Sequence, residues 1–330
     1  MTLTLEQPVT ASAGGTATAA VARCECCCGE HDRVARKRGY TLHRCRECGV
    51  VFVAPQPTPA ALEKLYRKDA GYFANAQTDL SHIPPSSAAW LHDALIHAGG
   101  TTGRFLDVGC ATGSLMWAMR GLGWSVSGVD VNRDATDIAK RNGLDATAAA
   151  LHDAGFADEA FDVANMGDVI EHVPSPREMC AEIHRILRPG GLLAVRTPNA
   201  ASGFAAITLL AARCGARTWA HSEAPYHLHE FTPRSLRALL DSVGFDIVTI
   251  RCEGRGRLLY KLGATGAFDN LKRRIKSARG VARIGQVLLN LPKLLVIGAA
   301  IAPAYAIGTL LDLVHGSGAS IFLIARKKAA

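Results

Sequence analysis

The chain begins without the two features of a secretory leader. Residues 1–22, MTLTLEQPVTASAGGTATAAVA, have neither a basic start nor a continuous apolar run. They read as a flexible Ala/Thr/Gly tail with no secretion signal. Cysteine is too sparse for a dense disulfide framework, with ten in 330 residues. Six of the ten crowd between positions 24 and 48, which favours metal over bridges and a reducing, cytoplasmic setting. An uninterrupted membrane span is missing as well. Residues 294–311 are apolar, but Gly298, Pro303 and Gly308 break the run, so a single crossing is disfavoured. Charge is not extreme either: a formal +8 suits nucleic acid, anionic lipid or an anionic small substrate without choosing among them. What remains is a globular chain, 48% hydrophobic and 20% charged, large enough for one main core and an accessory module.

The crowded cysteines have a metal-binding spacing. Cys24/Cys27 and Cys45/Cys48 form C-x2-C-x17-C-x2-C, and two such pairs on short hairpins can aim four thiolates at one zinc ion. The metal would replace a core that about 30 residues cannot supply. A zinc ribbon over 23–54 is therefore predicted, with Cys24, Cys27, Cys45 and Cys48 as ligands. Neighbouring Cys26 and Cys28 leave a Cys24/Cys28 pair open. Cys-x-x-Cys redox chemistry is disfavoured because no βαβ unit follows. Residues 55–102 read as a linker and helical connector, with a helix opened by Thr58-Pro59 and showing Leu62, Leu65 and Tyr66 on one face.

From 103 to 255, β and α signals alternate, the pattern of a parallel α/β sheet. RFLDVG, SVSGVD, FDVANM, LLAVRT and FDIVTI are the predicted strands. SLMWAMRGLG, RDATDIAKRNG and PREMCAEIHRILRPGG have helical spacing, the last two closed by glycine. Asp107 ends the first strand, and GCATG follows with Gly109 and Gly113 before a helix near Ser114. Such glycines let backbone approach a ligand beside the unpaired N–H groups of a helix start. Asp130 ends the second strand about twenty residues on, where a carboxylate can accept both hydroxyls of a ribose. This much fits a dinucleotide and S-adenosylmethionine equally.

The remainder of the segment separates them. LDVGCATG, GVDVN and the long FDVANMGDVIEHVPSPREMCAEIHRILRPGGLLAVRTPN together resemble a class I S-adenosylmethionine-dependent methyltransferase. The resemblance spans about 103–251 and takes in the last strand, ASIFLIARKK. It implies an α/β fold: a Rossmann-like doubly wound seven-stranded methyltransferase sheet, with the small N-terminal zinc ribbon and a C-terminal helical insertion before the last strand. It also implies that Asp107, Gly109 and Gly113 hold the methionine end of S-adenosylmethionine and Asp130 its ribose. Asp153 is the expected adenine contact, and Asp168 lines the same pocket.

Methyl transfer needs an aligned nucleophile and, for a hydroxyl, a base. GDVIEHV places Asp168, Glu171 and His172 on one face if the segment is helical, which makes His172 a candidate base. The segment is similar to quinone-pathway O-methyltransferases, and that likeness implies a divalent cation at Asp168/Glu171/His172 as an alternative role. HSEAPYHLHEF adds His227 and His229 as catalytic candidates beside a substrate pocket; an extended His-x-His points its rings to opposite sides, so at most one faces the ligand.

The order of ribbon, connector and catalytic domain resembles bacterial methyltransferases of sugar, cell-surface glycan and secondary-metabolite pathways. A small hydroxylated, glycan or lipid-linked acceptor is the expected partner, with O-methylation the expected reaction. Residues 256–330 combine a basic stretch, NLKRRIKSARGVAR, with the broken apolar run and the last strand. Segment 272–314 is accordingly a candidate peripheral contact with the inner membrane face. An RNA methyltransferase is the rival enzyme, but the basic ribbon lacks interleaved aromatics for base stacking and no N-P-P-Y-type tetrapeptide occurs. A non-catalytic recruitment module is the rival outside enzymes; the intact DVGCATG and Asp130 speak against it.

Overall fold

The computed structural model describes residues 23–58, 61–62, 78–212, 219, 221–253 and 318–329. Most of the helix expected after Thr58-Pro59, and the 272–314 segment, lie outside the described residues. Among the described residues no helix is long and apolar enough to cross a membrane.

Seven strands form the main sheet: β4 (Arg104–Val108), β5 (Ser125–Asp130), β6 (Asp145–Ala148), β7 (Phe161–Gly167), β8 (Leu187–Pro198), β10 (Phe245–Glu253) and β11 (Ser320–Lys327). Their order is β10-β11-β8-β7-β4-β5-β6. The pairs from β8 to β6 are parallel, whereas β11 is antiparallel to both β8 and β10. The chain reverses its direction of travel across the sheet between β4 and β7, the switch point at which open α/β sheets bind ligands.

Alternation along each strand supplies both layers of the core. Leu106, Val108, Ala164 and Met166 face one side, where Cys180, Ile183 and Ile186 of α4 (Pro176–Ile186) and Leu236, Leu239 and Leu240 of α6 (Pro233–Ser242) cover them. Phe105 and Val163 face the other, against Leu91 and Leu95 of α1 (Ala89–His97) and Met119 of α2 (Ser114–Gly121). Helix α3 (Arg133–Arg141) follows β5, with Asn132 capping it by accepting from the Ala135 N–H at 3.0 Å; α5 (Gly203–Ala211) follows β8. The expected glycine closure of α4 does not occur. At Leu187 the backbone is already extended, and RPGG begins β8 instead.

The ribbon is a small antiparallel sheet of β1 (His31–Lys37), β2 (Tyr40–Cys45) and β3 (Val51–Val53). Its fourth strand comes from far along the chain: β9 (His229–Glu230) pairs with β3, placing Phe52 opposite His229 and Val51 opposite Glu230. Cys24, Cys45, Val50 and Phe52 belong to the same buried cluster as Phe231, Leu236 and Phe245. Thr232 Oγ1 donates to the Cys48 carbonyl at 3.1 Å, and Arg177 Nε to that of Glu25 at 3.0 Å. Segment 23–54 is thus built into the α/β unit through sheet, core and hydrogen bonds.

Candidate active site

The glycine turn after β4 is fixed by sterics. Gly109 has φ +74°, and a Cβ there would lie 2.4 Å from Val169 Cγ2; Gly113 has φ +84°, and its Cβ would lie 2.5 Å from Leu144 Cδ1. Both conformation and space therefore require glycine. The first contact also sets the turn at 168–173 directly against the glycine turn.

Acidic groups close this end of the sheet. Asp107 is buried and accepts from Asn165 Nδ2 at 2.8 Å, its cross-strand neighbour on β7. Burial pushes its pKa up to about 7, with the Asn165 bond pulling down and the Asp130 charge pushing up. Asp130 is half-buried; its Oδ2 accepts from the Ala111 N–H at 2.9 Å and its Oδ1 from the Asn132 N–H at 2.8 Å. Each oxygen keeps acceptor capacity for a further donor such as a ribose hydroxyl. Asp153 is exposed on the turn after β6, beside His152 at 3.2 Å. Asp168 is exposed at the end of β7 with φ +56°. Asp107, Gly109, Gly113 and Asp130 thus converge on one turn, while Asp153 and Asp168 sit at neighbouring strand ends with their side chains outward.

The expected helical face of Asp168, Glu171 and His172 does not form. Residues 168–172 make a turn, because only eight residues connect β7 to the Pro176 start of α4. Asp168 is turned out to solvent and Glu171 is wholly buried. His227 takes the third place: ligand atoms of Glu171, His172 and His227 lie within 4.8 Å of one another.

Backbone stitching holds this cluster. The Glu171 carbonyl accepts from the Leu228 and His229 N–H groups at 2.8 and 3.1 Å, and its Oε2 accepts from Thr197 Oγ1 at 2.9 Å. Burial pushes Glu171 up to about 7; His227 pulls it down and Asp168 pushes it up. His172 Nδ1 donates to the Tyr226 carbonyl at 2.9 Å, so Nε2 carries the lone pair. Burial, then the charge of His227, lowers the His172 pKa and keeps the ring neutral. The His172 and His227 rings meet edge to face at 4.8 Å.

Sequence reasoning missed Glu230, the carboxylate at the centre. It is wholly buried, with Oε2 3.4 Å from His221 Nε2 and 3.6 Å from His227 Nδ1, and Oε1 accepts from the Glu223 N–H at 3.1 Å. Burial alone would raise its pKa, but His227 and His221 hold it well below the usual carboxylate range. Burial pulls His227 down, yet Glu230, Glu171 and Glu223 outweigh it and raise the ring to about 9. His229 points the other way, to the ribbon side, where burial lowers its pKa to about 4. The two rings of His-x-His do face apart, and His227 is the one that joins the cluster.

In the ribbon, the sulfurs of Cys24, Cys27, Cys45 and Cys48 all lie within 4.8 Å of one another. The separations are 3.5 Å for Cys24–Cys48, 3.8 Å for Cys24–Cys27 and 3.4 Å for Cys27–Cys45. A zinc–sulfur length of about 2.3 Å implies tetrahedral edges of roughly 3.8 Å, so this donor set fits zinc. Cys28 is exposed and outside the group, which leaves Cys27 as the partner of Cys24.

Ubiquinone biosynthesis O-methyltransferase of Burkholderia multivorans is 32% identical over 127 residues, 36% of this chain and 53% of the relative; the Burkholderia vietnamiensis protein of the same name is 30% identical over the same shares. The chain spans about half the length of the curated relatives it matches. Among solved structures, the 1,6-didemethyltoxoflavin-N1-methyltransferase of Burkholderia thailandensis, with bound 1,6-didemethyltoxoflavin and S-adenosylhomocysteine, aligns over 91% of this chain and all of its own, at TM-score 0.45 and 16% identity. The [4+2]-cyclase SpnF aligns over 74% of this chain and 82% of its own, at TM-score 0.47 and 18% identity. Residues 80–250, more than half of the chain, match the family described as methyltransferase domain, and the chain belongs to that family.

Proposed function

We propose that the protein transfers a methyl group from S-adenosylmethionine to a hydroxyl oxygen of a small acceptor, of the hydroxylated, glycan or lipid-linked kind. The observation that carries this reading is the contact of Gly109 with Val169. It presses the turn that bears Glu171 and His172 against the turn that Asp130 pins. A cofactor turn and a base thereby share one wall.

S-adenosylmethionine supplies an electrophilic methyl group on a sulfonium centre. Asp130 offers acceptors to the ribose, and buried Asp107 a carboxylate to the positive end of the amino acid. His172 takes the acceptor's proton at Nε2, its Nδ1–H being anchored on the Tyr226 carbonyl. Glu230 holds His227 protonated, and burial, with that charge added to it, keeps His172 neutral. Ligation of a divalent cation by Glu171, His172 and His227 is the weaker reading, since a metal-binding imidazole must first lose the proton that three carboxylates hold on His227. Cys24, Cys27, Cys45 and Cys48 would bind a structural zinc that ties β1–β3, and through them β9, into register.

Transfer of labelled methyl groups to hydroxylated acceptors tests this directly. His172→Gln should lower kcat by about 10²–10⁴-fold while S-adenosylhomocysteine binding stays unchanged. Turnover equal to the parent's would remove His172 as the base.

A further inference from the structure

His172 sits on a segment with little regular structure of its own. Residues 168–172 form a turn, and α4 starts only at Pro176. Within the turn, the His172 N–H donates to the Val169 carbonyl at 2.9 Å. Beyond that bond, two side chains tie the segment 171–177 to the ribbon, one at each end.

The first is His229. Its N–H donates to the Glu171 carbonyl at 3.1 Å, and its ring is hydrogen-bonded to the backbone of Val173. The peptide groups before and after His172 therefore both end on one residue. That residue is buried and stands opposite Phe52 of the ribbon strand β3, so the base is gripped by a strand that the ribbon sheet holds.

The second is Arg177, in the first turn of α4. Its Nε donates to the Glu25 carbonyl at 3.0 Å and its Nη2 to the Cys26 carbonyl at 3.5 Å. Both carbonyls lie between Cys24 and Cys27, the first pair of the four-cysteine group. A guanidinium spans two successive carbonyls because its donors form a rigid fork, whereas an ammonium acts as a point. Ser175 points to the same place. A serine at a helix N-cap is favoured because its hydroxyl accepts from the first free N–H groups. Here it makes no such bond, and the hydroxyl donates to Glu25 Oε2 at 3.3 Å. The Glu25 carboxylate thereby stands at the positive end of α4, and the start of that helix is built around the cysteine knuckle.

We infer that His229 and Arg177 are positioning residues for His172, clamping its turn between β9 and the first cysteine knuckle. The inference rests on the reading of His172 as the base. It gives the ribbon a part in orienting that base which is separable from metal binding, because neither side chain belongs to the four-cysteine group. The clamp matters for rate because misplacing a catalytic group by about 1 Å can cost about 10²-fold.

Proton NMR of the zinc-loaded full chain provides the test. The His172 Nδ1–H, held on the Tyr226 carbonyl, should give a slowly exchanging signal, identified by its disappearance in His172→Gln. In Arg177→Ala and His229→Phe that signal should shift or be lost to exchange, while zinc content and S-adenosylhomocysteine affinity match the parent. Methyl transfer to the acceptor used for His172→Gln should fall by about 10–100-fold with KM unchanged. Arg177→Lys keeps the charge but not the fork, and should lie between Arg177→Ala and the parent. A displaced signal with parental turnover supports the clamp and removes His172 as the base, so the two readings fail separately. A signal identical to the parent's in Arg177→Ala and His229→Phe overturns the proposal, as does a fall in turnover that only follows loss of zinc. If His229→Phe does not fold, Arg177→Ala and Arg177→Lys decide by the same signal.

Discussion

The two ends of the candidate active site are built on different principles. The cofactor end is local: Asp107, the glycine turn and Asp130 lie within one β–turn–α–β stretch, and each is held by neighbours close in sequence or adjacent in the sheet. The acceptor end is assembled from afar. Glu171 reaches it from the turn after β7, Thr197 from β8, and His227 and Glu230 from the segment that completes the ribbon sheet. A local site can be rigid by itself; one assembled at a distance depends on whatever holds its pieces. In this protein part of that support is the ribbon, through the pairing of β3 with β9.

The largest effect should therefore come from the zinc proposed at Cys24, Cys27, Cys45 and Cys48. Structural zinc contributes about 10–16 kcal/mol to folding in small zinc modules. Chelating it, or replacing Cys45 by Ser, should release β9 and abolish methyl transfer, with S-adenosylhomocysteine affinity kept within about threefold. Loss of both functions together in calorimetry would erase the distinction between the two ends.

Glu230→Gln comes next. It leaves a buried, protonated His227 without its main counter-charge, and breaking a buried pair in this way costs about 3–5 kcal/mol. Thermal unfolding should record the loss, and NMR titration should show the His227 pKa falling from about 9. A ring that still titrates near 9 would mean that Glu171 and Glu223 suffice.

Gly109→Ala probes the junction between the ends. The strained backbone alone costs roughly 1–3 kcal/mol, and the new methyl group would press on Val169. Denaturant unfolding should show that cost, and kcat should fall as well because the His172 turn shifts.

The last effect appears only as a dependence on pH. Asp107, raised to about 7, binds its proton more tightly in the folded state than in the unfolded. Its contribution to stability is complete below about pH 4 and is lost as pH rises through 7; Glu171, also raised to about 7, has the same sign. In Asp107→Asn the melting temperature should decline less over that window. An unchanged profile would assign the decline to Glu171.

The same contrast explains what the sequence made legible. Strands β4, β5, β7, β8 and β10 follow from their apolar runs, and Asp130 from its spacing after the glycine turn. Strand β6 reads DATA, too small and polar to signal a strand by itself, and only its pairing with β5 makes it one. Strand β9 has two residues, so no periodicity can reveal it. Glu230 was illegible for the same reason: its role depends on His221, His227 and a partner strand nearly 180 residues earlier in the chain. Asp168, Glu171 and His172 have helical spacing, but the short link to α4 and a left-handed Asp168 turn that spacing into something else.

The central claim is that the turn pinned by Asp130 binds S-adenosylmethionine. Calorimetric titration of the zinc-replete protein with S-adenosylmethionine and S-adenosylhomocysteine, beside Asp130→Ala, tests it most directly. The account predicts micromolar binding in the parent and a loss of about 1.5–3 kcal/mol in the variant, the worth of hydrogen bonds to a charged group. Absence of binding in the parent, or equal binding in the two proteins, would contradict it.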